Sequence, residues 1–374
     1  MVPNVAHAVD PEERGERKRL VVATAVRRVR VPGWRMGVGI LACISWLGLF
    51  GRGPVRSESP ADNADAPPLV GVGERLLVLA PHPDDETLGA AGLAQRVLAQ
   101  AGTVRTLIFS AGDGFVEAVQ QRTGRRRPNP EAFLSYGQLR IREALSVGQV
   151  LGAGRIRLNV LGFPDGGLLP LLFAHWDNTH PERSSTTRRH TAPYREALDR
   201  YLVYSGSNLH FEMLRVLRDF RPTLVAFTDP LDEHPDHRAV GLFALLATGD
   251  FMRGRSGPWP RLFSYLVHWR HWPPDSGDFL ASQHLVDEPL PLPDDLPARQ
   301  QLRSCLTLSD EEMTRKQAAM AEYRTQQLVM PVFLAAFVRR TECFSINTAV
   351  DANSAGTAIR SQSLEPRSGR VAHP

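Results

Sequence analysis

Cysteine is scarce in this sequence of 374 residues: Cys43, Cys305 and Cys343 are all there is, and no two have the CxxC spacing of a structural zinc knuckle. That excludes a scaffold built on disulfides and leaves His and carboxylate as the side chains able to hold a metal. Lysine is scarcer still, only Lys18 and Lys316, and the arginines in its place read as GC-rich coding rather than as a binding code. No sign of charge dominates the body. The formal charge of +4 originates in residues 1–35, which hold eight Lys+Arg against four Asp+Glu, and the remainder carries 36 of each. A broad electrostatic footprint for nucleic acid is therefore missing. The glycine-bearing stretches at residues 112–114 and 162–166 lack GxGxxG spacing, which disfavours nucleotide binding. What remains, 43% hydrophobic and 22% charged residues, is ordinary globular composition with length for one large domain or two modest ones.

Long apolar runs are also few. The uncharged run 36–50 has 15 residues, short of the ~20 that span a bilayer. Arg27, Arg28, Arg30 and Arg35 precede it, and Arg52 and a Pro/Ser/Asp/Ala-rich stretch follow. Basic, then apolar, then polar is the order of an export signal or a membrane anchor. No small-x-small cleavage site follows at once, so both stay open. The heavier positive flank precedes the run, which places the body outside the cytoplasm, exported or anchored at the cell membrane, with a cytoplasmic location as the alternative. The plan is a basic segment 1–35, a signal or anchor 36–51, a linker 52–72, one domain 73–345 and a disordered tail 346–374, poor in apolar residues.

Within the body, residues 76–80 (LLVLA) form a continuous apolar run of strand length, as in buried parallel strands. Helical spacing over 88–101, a strand at 104–109, a helix over 139–151 stopped by Gly152 and a strand at 156–161 continue the alternation. Further strands are predicted at 224–227 and 262–268, and helices at 209–220, 237–247 and 310–327. This βαβ order predicts an α/β fold with a Rossmann-like parallel sheet flanked by helices. Polar insertions at 112–135 and 164–205 follow strands, where they would wall a site at the carboxyl edge of the sheet.

Pro81-His82-Pro83-Asp84-Asp85-Glu86 follows the first strand, and Asp232-Glu233-His234-Pro235-Asp236-His237 follows the strand at 224–227. Taken singly, each is explained by a helix cap, with Asp84 or Asp85 in one and Asp236 in the other. Two such loops on one sheet edge would repel unless a cation sat between them. Two imidazoles and one carboxylate, with a position left for water, are the donors of a catalytic zinc.

The paired motifs resemble those of the PIG-L/LmbE-like family of zinc-dependent N-deacetylases. The similarity extends to Arg140-Ile141-Arg142-Glu143 and to Leu161-Gly162-Phe163-Pro164-Asp165-Gly166-Gly167-Leu168, and covers about residues 74–345, with Pro81 where the family commonly has Ala. It implies that His82, Asp85 and His237 bind Zn2+, that Asp84 is the general base, and that protonated His234, oriented and held charged by Asp236, stabilises the oxyanion. It further implies that Arg140, with Arg142 as its alternative, and Asp165 grip the substrate. His268, in the His268-Trp269-Arg270-His271-Trp272 stretch, could place a ring against a sugar. The implied reaction is hydrolysis of the N-acetyl group of an N-acetylglucosamine-type sugar or glycoconjugate. Rival readings are a membrane-tethered carbohydrate-binding protein without turnover, against which Asp84 argues, and a zinc amidase cleaving a larger conjugate. Cys305 and Cys343 could pair in an extracytoplasmic body.

Overall fold

The computed structural model of the chain describes residues 69–274, 285–297 and 302–363. The basic segment, the signal or anchor at 36–51, most of the linker and the end of the tail lie outside the described residues. Among the described residues, no helix is long and apolar enough to cross a membrane.

Strand β1 (Arg75–Ala80) is the hinge of the architecture. It pairs in parallel with β2 (Thr103–Ser110) on one side and β4 (Leu224–Thr228) on the other. β3 (Ile156–Phe163) extends the sheet beyond β2, and β5 (Arg261–Tyr265) extends it beyond β4, both in parallel. Period-two alternation divides the β1 side chains between two cores. Leu76, Val78 and Ala80 enter one, with Leu88, Leu93, Ile141 and Ala144. Leu77 and Leu79 enter the other, with Leu209, Met213, Val240 and Phe243. A strand covered on both faces has no polar side to show, hence the unbroken LLVLA. Each fully buried Leu stabilises the fold by about 1.5–3 kcal/mol relative to exposure.

Helices α1 (Asp85–Ala99) and α3 (Pro130–Gly152) cover the first face, and α5 (Gly206–Phe220) and α6 (Pro235–Met252) the second. The insertions after β2 and β3 carry the short helices α2 (Val116–Thr123) and α4 (Leu168–Phe173). Asn129 and Ser205 cap α3 and α5, their side chains accepting the Ala132 and Asn208 amides at 3.2 Å each. These caps set where each helix starts after its polar insertion.

The sheet departs from expectation beyond β5. Strands β6 (Arg303–Thr307) and β7 (Thr341–Asn347) complete a seven-stranded order β3-β2-β1-β4-β5-β7-β6, with β7 antiparallel to both neighbours. The sheet is thus mixed rather than wholly parallel. Cys305 and Cys343 are directly opposed in β6 and β7 and form a disulfide. The helix expected over 310–327 breaks at Tyr323 into Asp310–Glu322 and Arg324–Gln327. The tail also needs correction, because a helix runs over Ala349–Ser363 and buries Ala352 and Ile359 in the core beside α6.

Candidate metal centre and active site

β1 and β4 are neighbours, yet their chains leave in opposite directions, to β2 on one side and β5 on the other. The carboxyl ends of such a pair form a topological switch point. The His82 loop leaves β1 there and the His237 loop leaves β4 beside it.

His82 Nδ1, Asp85 Oδ2 and His237 Nε2 form a triangle with all three sides 3.3 Å. Tetrahedral zinc with bonds of about 2.0–2.1 Å separates its ligand atoms by roughly 3.3–3.4 Å, so the donors present fit the metal both in type and in spacing. All three residues are buried. Two overlapping clusters, His82/His234/His237 and His82/Asp165/Asp236, also gather donors within 4.8 Å. The first triangle is favoured because its three donor atoms stand at equal 3.3 Å separations that match the metal, Asp85 Oδ2 also accepting the His82 amide at 2.9 Å. His234 Nδ1 accepts the Asp236 amide at 3.2 Å, and Asp236 accepts the Gly166 and Leu168 amides at 2.7 and 2.9 Å.

Carboxylates stand behind both imidazoles. His82 Nε2 lies 3.1 Å from Asp165 Oδ1 and 3.3 Å from Asp236 Oδ2. His237 Nδ1 lies 3.4 Å from Asp232 Oδ2. Such partners fix ring orientation and raise ligand basicity. Burial depresses both imidazolium groups, but Asp165, Asp236 and Asp85 raise His82 well above its ordinary range, and Asp85 with Asp232 raise His237. Burial likewise works against ionised Asp85, yet His237 and His82 hold it well below the usual carboxylate range.

Asp84 heads α1 with φ 132° and ψ −34°, outside the regions favoured by L-residues. Burial pushes its carboxyl up to about 8 against the pull of Arg140; a cation at the triangle would draw it back down.

The geometry bears on four of the expected roles. The Asp236 carboxylate faces His82, so it does not orient His234; its backbone amide does that by donating to Nδ1. An Nδ1 that accepts a hydrogen bond carries no proton, so His234 is neutral with its proton on Nε2 rather than charged. Burial and the neighbouring His237 and His82 lower its pKa well below the ordinary value, in the same direction. Arg140 is 4% exposed, and its guanidinium donates to Pro83 O, Gly112 O and Asp84 Oδ2, with Nε left without a hydrogen-bond partner. Asp165 is also turned inward, to His82 and to the Gly114 amide at 2.6 Å. His268 does adjoin the centre. Its ring lies 4.9 Å from that of His237 and 5.4 Å from that of His234, and it stacks on Phe333 at 5.1 Å.

Other residues escaped the sequence reading. Asp232 is fully buried and accepts the amides of His234, Val267 and His268, each at 2.9 Å, tying the β4 loop to the β5 loop. It stood in the quoted motif without a role. Glu86 accepts from Tyr323 and from the Asp84 amide, and Tyr194 in the long insertion donates to Asp113. Neither tyrosine carries a local sequence signal.

Residues 77–248 match the family model described as GlcNAc-PI de-N-acetylase, PIG-L. Similar solved structures include a conserved protein from Thermus thermophilus, at 22% identity over 70% of this chain and 84% of that one, TM-score 0.41. An N,N'-diacetylchitobiose deacetylase from Pyrococcus horikoshii is 16% identical over 74% and 85%, TM-score 0.44. A deacetylase in complex with teicoplanin is 18% identical over 73% and 97%, TM-score 0.45. No curated protein matches the chain.

Proposed function

We propose, from the match of residues 77–248 to the PIG-L family model, that the chain is a zinc-dependent N-deacetylase acting on an N-acetylglucosamine-type sugar or glycoconjugate. The observation that carries the metal is the triangle of equal 3.3 Å sides formed by His82, Asp85 and His237. Bound zinc supplies Lewis acidity and lowers the pKa of water toward about 7. Asp84, next to a ligand but not itself one, takes the proton of the attacking water and returns it to the departing amine. His234 donates its Nε2–H to the oxygen on which charge develops, acting as a neutral hydrogen-bond donor. Asp165, Asp236 and Asp232 hold the two imidazoles in place. The Arg-flanked run at 36–50 and the Cys305–Cys343 disulfide support an extracytoplasmic location, exported or membrane-anchored.

The test is acetate release from a panel of N-acetylated glycans, with zinc content measured on the same samples. Asp85→Ala is expected to lose zinc and turnover together. Asp84→Asn is expected to keep zinc and lose turnover by a factor of about 10² to 10⁴. Glycan binding without acetate from the wild type would establish a binding protein instead, and normal turnover by zinc-loaded Asp84→Asn would remove the base from Asp84.

A further inference from the structure

We propose that Arg140, admitted to its place by Gly112, is a positioning residue that holds Asp84 in its reactive geometry rather than a residue that grips substrate. The inference rests on the reading of Asp84 as the base.

Asp84 sits at φ 132°, a conformation strained for an L-residue that persists only where its surroundings over-determine it. The peptide groups on both sides of its Cα are held. Its amide donates to Glu86 Oε2 at 3.1 Å, and Tyr323 holds the other oxygen of Glu86. The preceding carbonyl, Pro83 O, accepts from Arg140 Nη2 at 2.7 Å and from Gln326 Nε2 at 3.2 Å. Arg140 Nη2 also reaches Asp84 Oδ2 at 3.1 Å, while Nη1 donates to Gly112 O at 2.9 Å. One guanidinium thus fixes both the backbone before Asp84 and one of its two carboxylate oxygens, leaving Oδ1 for the reacting water. A planar fork can do this; the point charge of a lysine cannot serve three acceptors with the same directions.

Gly112 supplies independent support. It lies at φ +61°, and a Cβ there would overlap the Arg140 guanidinium. The glycine therefore opens the channel through which Arg140, on the buried face of α3, reaches Asp84. A substrate-gripping arginine needs exposure, but this side chain is 5% exposed.

The experiment uses the zinc-loaded full chain and the glycan that gives the fastest acetate release. Arg140→Met and Gly112→Ala are expected to keep zinc and to lower kcat by about 10²-fold with KM within about threefold, as a misplaced catalytic group does. Arg140→Lys should lie between them and the wild type. Combined with Asp84→Asn, Arg140→Met should add no further loss. In crystals of zinc-loaded Arg140→Met, Asp84 should leave its positive φ. A raised KM at unchanged kcat, a full additive loss on top of Asp84→Asn, zinc loss from Arg140→Met, or an unmoved Asp84 in those crystals would each overturn the inference. Normal turnover by Asp84→Asn alone would instead overturn the assignment of the base. Should Arg140→Met fail to fold, Gly112→Ala and Arg140→Lys carry the same kinetic comparison.

Discussion

Helix α1, which carries the metal-ligand candidate Asp85, is interrupted at Ala90, where φ −144° and ψ 15° leave the helical region. The interruption opens the bond that would join the Gly92 amide to Leu88 O, and a buried ion pair enters the gap. Gly92 and Leu93 donate instead to Glu342 Oε1 and Oε2 at 2.8 and 3.0 Å. Lys316 Nζ meets Leu88 O at 3.3 Å and Glu342 Oε1 at 2.8 Å. The side chains of Lys316 and Glu342 are 1% and 2% exposed. Glu342→Ala would strand a buried ammonium and two amides at once. Loss of one partner of a buried pair costs about 3–5 kcal/mol, and that is the expected loss. Lys316→Met leaves the carboxylate with its two amide donors, so its cost should be smaller, about 1–3 kcal/mol. Urea unfolding of the two single variants and of Lys316→Met/Glu342→Ala closes a double-mutant cycle. The double variant should not return to wild-type stability, because the Gly92 and Leu93 amides stay unpaired while the helix is bent. It cannot readily straighten: Gly89 is pressed on the Tyr265 ring and Gly92 on Leu308. A loss within about 1 kcal/mol for Glu342→Ala would refute the view that this pair sustains the break.

Two further outcomes concern Asp113 and the Cys305–Cys343 disulfide. Burial, reinforced by Asp165 and opposed by Tyr194, pushes Asp113 up to about 7 from 3.8. A carboxyl raised on folding gives stability that is complete below the unfolded pKa and is lost as pH rises through the folded one. Asp113→Asn keeps an acceptor for Tyr194, so its melting temperature should gain on the wild type between pH 4 and pH 8; a constant difference across that range would contradict the assignment. The disulfide closes a separation of 38 residues, for which the chain-entropy relation gives about 4 kcal/mol. Cys305→Ser/Cys343→Ser should therefore lose about 2–4 kcal/mol in chemical unfolding, and an unchanged midpoint would show that β6 and β7 need no crosslink.

The parallel half of the sheet was legible because its signals are local. LLVLA declares a strand covered on both faces, and each polar insertion declares a carboxyl edge. The remainder depends on partners distant in sequence. β7 and β6 pair with strands already placed, and the break in α1 depends on Glu342, some 250 residues from the Gly92 amide that it accepts. The helix at Ala349–Ser363 was hidden by its composition. Its core contribution is mainly Ala352 and Ile359, too little apolar area to announce a core helix. Small residues nevertheless let it approach α6 closely, with Ala352 O against Gly249. A start signal was present: Thr348 and Asp351 exchange side-chain and amide hydrogen bonds at 2.7 and 3.4 Å, the Thr-x-x-Asp form of a helix cap.

The site shows the same division at atomic scale. Residue types and spacing indicated which groups would gather, since His, Asp and His on adjoining strand ends can answer one cation. They could not indicate which atom of each group faces which neighbour. His82 has two nitrogens, and the structure gives Nδ1 to the Asp85–His237 triangle and Nε2 to Asp165 and Asp236. Once Asp236 stands behind His82, it is no longer available to charge His234. His234, accepting an amide as the cap of α6, is left as the neutral Nε2–H tautomer. Arg140 follows the same logic: a cation near the motif can face a substrate or an acidic neighbour, and the structure buries it against Pro83, Gly112 and the Asp84 carboxylate. The division of roles among these carboxylates and cations is therefore fixed by orientation in the turn, which depends on the packing of α3, α4 and α6 around it.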